Sequence, residues 1–164
     1  MLLKAAHVSD GFGRPADYAM LFAQAEVALD RTFSPMGAMS PVSRSILRRI
    51  DVELTRRARR ANYVALIDNL RAGKPGVSLH LIRPELPPDA VPLGCPVLVD
   101  ERDKAVARLA SMGVQAEVYW DLPPEVPAEA FPVSASLARR ILMLPCDQRY
   151  SSDDMATVAR ALRA

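Results

Sequence analysis

The side chains able to take part in covalent or acid–base chemistry are few and scattered along this sequence. Lys4 carries a primary amine, but an amine becomes a nucleophile near neutral pH only when burial or neighbouring charges lower its pKa, and a position near a chain terminus favours neither. Cys95 and Cys146 each adjoin a proline and have no nearby histidine to act as a base, so we interpret both as reduced, buried, apolar residues. His7 and His80 are isolated and receive no role. Residue types alone therefore predict no catalytic constellation and no metal site.

Arginine is the most concentrated charged residue, and six of them fall within thirteen positions: Arg48, Arg49, Arg56, Arg57, Arg59 and Arg60. Guanidinium groups bind phosphates well, so a phosphate or nucleic-acid patch is one interpretation. On a helix, however, these positions spread around the axis, and Asp51 and Glu53 are available as helical partners. The formal net charge of only +2 also disfavours nucleic acid. We therefore expect a solvated or interdomain face.

Two further candidates lie near the ends of predicted strands. Trp120 is either an aromatic platform for a ligand or, more commonly for such a residue, a core anchor beneath a proline-rich loop. Arg149 follows Asp147 and Gln148 at the point where the last predicted strand turns into the last helix. Its guanidinium group is suited to a carboxylate ligand.

The size and composition of the chain favour one folded domain. It has 164 residues, of which 50% are hydrophobic and 24% are charged, as is typical of soluble globular proteins. No apolar run approaches the roughly 18 residues that a membrane span needs, and the first residues do not resemble a signal peptide. We expect a cytoplasmic protein that does not contact a membrane.

The predicted architecture is α+β, with a small, mostly antiparallel sheet covered by helices in two layers. We place an N-terminal remnant with a connector helix in residues 1–40 and a small domain in residues 41–164. Ser40 and Pro41 predict the start, and Gly73 the end, of one long interdomain-type helix over residues 41–72. The other predicted elements are a connector helix over 17–31, strands over 77–82, 95–99, 114–120 and 141–144, and helices over 101–112, from 134 and after Ser151.

Three strings in this order resemble a known family. They lie at residues 43–66, at residues 96–114 and at residues 142–155, the last beginning Leu-Met-Leu-Pro-Cys-Asp-Gln-Arg-Tyr. They are similar to the interdomain helix, the strand–helix–strand unit and the terminal strand and helix of DegT/DnrJ/StrS-type, pyridoxal-phosphate-dependent aminotransferases of fold type I. The resemblance covers nearly everything from Pro41 onward. It identifies the carboxyl-terminal, small-domain half of a divergent branch of that family.

The resemblance also implies a role for Lys4. The family carries its Schiff-base lysine six residues before an acidic residue and a glycine pair, and Lys4 stands six residues before Asp10 and Gly11. Phe12 separates Gly11 from Gly13, which departs from the family pattern. By resemblance, Lys4 is the catalytic and cofactor-binding lysine for pyridoxal phosphate.

The reaction that the resemblance implies is amino transfer, usually from glutamate, to a keto-sugar nucleotide or a related ketone. Trp120 and Arg149 are then the candidates for substrate contacts. In the family, the remaining cofactor-binding groups come from the large domain, so we expect this chain to be inactive without one. The expected partners are a large-domain chain, with a small-molecule substrate once complemented, or a second copy. The alternative is a non-enzymatic interaction or self-association module that retains the small-domain fold, and nucleic-acid binding is a third, weaker option.

Overall fold

A computed structural model describes residues 10–31, 38–73, 78–119 and 121–163 of the chain. These residues form two compact units, an amino-terminal unit of residues 1–50 and a carboxyl-terminal unit of residues 51–164. Among the described residues, no helix is both long enough and apolar enough to span a membrane.

The amino-terminal unit contains the helices α1 (Pro15–Arg31) and α2 (Pro41–Leu47). Helix α1 confirms the predicted connector helix and begins with an ion pair between Arg14 and Asp17 of 2.9 Å. Helix α2 begins as the sequence predicts, because the Ser40 side-chain oxygen accepts a hydrogen bond from the backbone N–H of Ser43. Helix α2 buries none of its side chains.

The prediction of one continuous helix over residues 41–72 is wrong, because four residues separate the end of α2 from a second helix, α3 (Val52–Ala72). The backbone N–H groups of Arg49 and Ile50 donate to carbonyl groups three residues earlier, which tightens and ends α2. Asp51 then adopts an extended conformation, and its carboxylate accepts a hydrogen bond of 2.8 Å from the N–H of Leu54. Asp51 is therefore a new N-cap.

The sheet has three antiparallel strands, β1 (Leu79–Leu81), β2 (Cys95–Val99) and β3 (Ile141–Leu144), in the order β1-β2-β3. Strand β2 is the central strand, and Val99 pairs with Leu79 of β1 while Cys95 pairs with Leu144 of β3. The predicted small antiparallel sheet is confirmed, and the predicted bounds of β2 and β3 match those observed.

The strand predicted over residues 114–120 is not formed among the described residues. Only Glu117 pairs with β3, exchanging two backbone hydrogen bonds with Met143. The ladder cannot continue past Pro145, which has no N–H group. In the other direction, the N–H of Ile141 already donates to Leu137 at the end of a helix. The described part of the alternating apolar segment that begins at Val114 therefore pairs with β3 at a single residue, Glu117.

The helices α4 (Arg102–Ser111), α5 (Pro132–Arg140) and α6 (Ser152–Arg163) complete the carboxyl-terminal unit. Helices α3 and α6 pack against each other on one side of the sheet. Alternate strand residues point into this core, together with apolar side chains of α3, α4 and α6: Cys95, Val97, Val99, Leu142, Leu144, Leu66, Leu109, Met155 and Leu162. Burying each large apolar side chain adds about 1.5–3 kcal/mol to the stability of the folded state. The two-layer α+β architecture is confirmed.

Candidate functional site

The sequence-predicted site residues do not come together in the described part of the chain. Lys4 and Trp120 lie outside the described residues, so their roles stay predictions. Arg149 is described, and it lies in the turn that joins β3 to α6. We therefore build the candidate site around this turn, residues 147–150.

The turn is closed by local hydrogen bonds. The Tyr150 N–H donates to the Asp147 carbonyl oxygen, and the Asp147 carboxylate accepts from the Arg149 N–H. Helix α6 follows at once, because Ser151 and Asp154 exchange hydrogen bonds: the Asp154 carboxylate accepts from the Ser151 N–H at 2.7 Å, and the Asp154 N–H donates to the Ser151 hydroxyl. The position of Arg149 is thus set by a structured turn.

Arg149 is already engaged by a carboxylate of the same turn. Its Nε and Nη2 atoms donate to the two Asp147 carboxylate oxygens at 2.9 and 2.7 Å. The Arg149 side chain is 57% exposed, whereas that of Asp147 is 14% exposed. The hydrogen bond from Arg149 lowers the pKa of Asp147, and the same hydrogen bond raises the pKa of Arg149. A ligand carboxylate would therefore compete with Asp147 for the Nε–Nη2 edge of this guanidinium group.

The turn is anchored to α3 by a buried amide. The side-chain nitrogen of Asn62, a residue that is 5% exposed, donates to the carbonyl oxygens of Asp147 and Tyr150 at 2.8 and 2.9 Å. The Nε atom of Arg59 adds a hydrogen bond of 2.7 Å to the Gln148 side chain. Sequence reasoning assigned Asn62 no role. The signal for a buried role was the position of Asn62, a polar residue directly before the buried Tyr63 and four positions before the buried Leu66.

Helix α3 also holds the proline-rich loop between β1 and β2. Arg59 donates to the Pro92 carbonyl at 2.9 Å, and Arg60 donates to the carbonyls of Pro87 and Ala90. The expectation of a solvated arginine face is therefore wrong for Arg59 and Arg60, whereas the interdomain alternative stays a prediction. These two arginines satisfy backbone carbonyls of a loop that has few hydrogen bonds of its own.

A neighbouring arginine behaves as the sequence predicted. Arg56 pairs with Glu53 one helical turn away, with 2.6 Å between Nη2 and a carboxylate oxygen. This hydrogen bond lowers the pKa of Glu53. Arg56, Arg59 and Arg60 thus all have partners. Arg57 is the one arginine of the run on α3 that makes no hydrogen bond or ion pair to another described residue.

The two cysteines confirm the interpretation as buried thiols. Cys95 and Cys146 are free and fully buried. Burial raises the pKa of Cys95 to about 12 and that of Cys146 to about 11. A thiol with such a pKa carries almost no thiolate near pH 7, so neither group is a nucleophile in the folded chain.

The described residues do not themselves form a pyridoxal-phosphate pocket. The one lysine among them, Lys104, is 71% exposed and pairs with Glu101. The cavity beside the turn has a volume of about 220 Å³ and is lined by residues that include Pro145, Tyr150, Asp154 and Met155, but no lysine. Nor does the described part of the chain contain three or more His, Cys, Asp or Glu side chains placed to hold a metal ion.

Comparison with known proteins assigns this architecture. The model of the DegT/DnrJ/EryC1/StrS aminotransferase family matches residues 38–163, which include α3, the sheet and the anchored turn. None of the curated proteins matches the chain. The fold is therefore the small α+β domain that accompanies aminotransferases of this type. The chain belongs to the DegT/DnrJ/EryC1/StrS aminotransferase family.

Solved structures support the fold. The putative sugar aminotransferase Spr1654 from Streptococcus pneumoniae, solved in its PLP form, has a TM-score of 0.56 at 16% identity and matches 74% of this chain and 33% of its own. The sugar aminotransferase CalS13 from Micromonospora echinospora has a TM-score of 0.50 at 24% identity, over 74% of this chain and 33% of its own. The aminotransferase TlmJ from Streptoalloteichus hindustanus has a TM-score of 0.51 at 23% identity, over 74% of this chain and 34% of its own. The chain thus spans about a third of the length of these proteins.

Proposed function

We propose that this chain forms the small-domain part of a pyridoxal-phosphate-dependent aminotransferase that transfers an amino group to a keto-sugar nucleotide or a related ketone. The observation that carries the proposal is the family match over residues 38–163, because it spans both α3 and the turn that α3 holds. The sugar aminotransferases among the similar structures support the substrate class.

The proposal assigns three residues. Lys4 would be the Schiff-base lysine, and Trp120 and Arg149 would contact the substrate. The structure adds one condition for Arg149, because the Nε–Nη2 edge of its guanidinium group already serves Asp147. A substrate carboxylate would have to share this guanidinium group or displace Asp147 from it.

The described residues lack a cofactor pocket of their own, so we propose that a large domain supplies the rest of it. The acidic partner for the cofactor ring, the stacking group and the phosphate donors would all belong to that domain. Residues 1–164 alone are expected to show no transaminase activity.

Borohydride trapping tests the proposal. The purified chain is mixed with pyridoxal phosphate, alone and with candidate large-domain chains, then reduced and mapped by mass spectrometry. We expect a reduced pyridoxyl label on Lys4 only when a suitable large domain is present. The exposed Lys104 reports background labelling, and a Lys4→Arg variant should lose the specific signal. Absence of a label on Lys4 with every partner, or labelling no stronger than on Lys104, contradicts the catalytic role.

A second candidate function is non-enzymatic self-association. Its supporting observation is the number of large apolar side chains that are about half exposed or more on α1 and α2, among them Phe22, Leu29, Val42 and Ile46. Analytical ultracentrifugation of the wild type and of a Phe22→Gln/Leu29→Gln variant tests it. A wild-type chain that remains a folded monomer across the concentration series argues against self-association.

A further inference from the structure

The carboxyl-terminal end of α2 and the two residues after it carry a group of cationic side chains around a single groove. Pro41, Arg44, Ser45, Arg48 and Arg49 line this open groove, which has a volume of about 510 Å³. The lining contains three guanidinium groups and one hydroxyl but no acidic side chain.

The spacing of these residues brings them to the same surface. Arg44 and the C-cap residue Arg48 lie four residues apart, and the Arg48 N–H donates to the Arg44 carbonyl, so their side chains are one helical turn apart. Arg49 follows in the turn that ends α2 and lines the same groove as Ser45. Side chains at such positions are neighbours on a helix, with their Cβ atoms about 5–6 Å apart. Several donors can therefore reach one bound anion.

The three guanidinium groups have no partner among the described residues of the chain. Several other arginine side chains are engaged, although Arg57 is not: Arg56 and Arg149 pair with carboxylates, and Arg59 donates to carbonyl groups. No hydrogen bond or ion pair within the described ranges involves the side chains of Arg44, Arg48 or Arg49.

Intramolecular forces do not account for this arrangement. Like charges four residues apart destabilise a helix. Arg44 lies in the last turn of α2, and Arg48 and Arg49 follow it, so these cations gain some energy from the helix dipole, but that small gain does not require three cations around one groove. Helix α2 also buries no side chain, so the arginine stems are not there to cover a core.

We propose that Arg44, Arg48 and Ser45, with Arg49 beside them, form a binding site for a phosphate-bearing small molecule, in particular for a diphosphate. Guanidinium groups present paired N–H donors that match phosphate oxygens, and two of them one turn apart suit two linked phosphoryl groups. Identifying this diphosphate with that of a sugar nucleotide rests on the proposed function, whereas the anion site itself does not.

Isothermal titration calorimetry of the full chain with inorganic pyrophosphate tests the site. We expect saturable binding of one pyrophosphate per chain, with inorganic phosphate binding more weakly. An Arg44→Ala/Arg48→Ala variant should bind about tenfold more weakly or not at all, because it loses both forks. An Arg44→Lys/Arg48→Lys variant should fall between the two, since it keeps the charge and loses the bidentate geometry.

An Arg57→Ala/Arg71→Ala variant is the matched control, because it removes the same charge from exposed positions of α3. It should change the affinity for pyrophosphate by less than about twofold. Circular dichroism verifies that each variant is folded.

Three outcomes would overturn the inference: no saturable pyrophosphate binding, an equal loss in the control variant, or salt-sensitive binding of duplex DNA without binding of pyrophosphate. The last would assign the surface to nucleic acid. Borohydride trapping of Lys4 does not involve these arginines, so failure of either experiment is distinguishable from failure of the other.

Discussion

The arginines of α2 and α3 are close in the sequence but serve different ends. On α3, Arg59 and Arg60 donate to carbonyl groups of the loop between β1 and β2, and Arg59 also reaches Gln148. On α2, Arg44 and Arg48 face a groove and contact no acceptor in the described residues. An arginine thus has a structural role where a loop presents carbonyl groups that need a donor. Where no such carbonyl lies nearby, the arginine is available for a ligand.

A dense run of arginines in the sequence therefore does not have one role in the structure. The role of each arginine depends on which hydrogen-bond acceptors the fold places near it. Substitutions of Arg59 and Arg60 on α3 should therefore reduce stability, whereas substitutions of Arg44 and Arg48 should leave stability unchanged and affect binding.

The largest effect is expected at Asn62, which holds the turn to α3. Asn62→Ala leaves the carbonyls of Asp147 and Tyr150 without their buried donor, so the free energy of unfolding should fall by about 2–3 kcal/mol. Urea denaturation followed by circular dichroism measures this change. Asn69→Ala is the matched control, because Asn69 only donates to Ala65 within its own helix and should cost far less. Equal losses in the two variants would contradict the anchoring role.

A smaller loss is expected at Arg59, which is partly solvated. Arg59→Ala should lower the free energy of unfolding by about 1–2 kcal/mol, because the hydrogen bonds to Pro92 and Gln148 disappear. Arg59→Lys should recover only part of the loss, since an ammonium group lacks the planar fork. The same denaturation experiment on Arg57→Ala should show a change within about 0.5 kcal/mol. An Arg59→Ala variant as stable as the wild type would contradict the structural role that distinguishes the arginines of α3 from those of α2.

The pair of Asp147 and Arg149 predicts a dependence of stability on pH. The pKa of Asp147 is lowered in the folded chain, so its contribution is present above the unfolded pKa of about 3.9 and is lost as the pH falls through the folded value. Near pH 7, Asp147→Asn should cost about 1 kcal/mol, because Arg149 is largely exposed. Denaturation at a series of pH values should show this difference shrinking below about pH 4. A difference that stays constant down to low pH would refute the assignment, and Asp68→Asn on the exposed side of α3 controls for general charge effects.

The smallest effect on stability is expected on α2. Arg44→Ala/Arg48→Ala should leave the free energy of unfolding within about 0.5 kcal/mol or raise it slightly, because the substitution relieves like-charge repulsion. Thermal unfolding of the variant beside the wild type measures this. A clear loss of stability would mean that these arginines have a structural partner, as Arg59 and Arg60 do.

The sequence predicted local structure well where local signals agree. The bounds of β2 and β3 were predicted correctly, because apolar runs there are bordered by glycine, proline or a charged residue. The break before α3 was missed because Leu47, Ile50 and Leu54 continue one apolar stripe, although Asp51 carried a capping signal.

The anchored turn required information that local patterns do not contain. Arg59 and Asn62 find their acceptors 33 to 89 residues away along the chain, and those acceptors are mostly backbone carbonyls, which every residue possesses. No residue type marks such a partner in advance. The resemblance to the family did indicate the strings to which these residues belong. The roles of Lys4 and Trp120 stay predictions, because both residues lie outside the described part of the chain.

The cap at Asp51 makes the start of the carboxyl-terminal unit independent of the residues before it in its first helical turn. The Asp51 carboxylate and carbonyl serve the N–H groups of Leu54 and Thr55, so α3 starts with hydrogen bonds from its own residues. A chimaeric gene joined immediately before Asp51 would therefore cut no hydrogen bond of the first turn of α3. A junction at this position, which is also where the two compact units meet in the sequence, therefore leaves the capping of α3 intact.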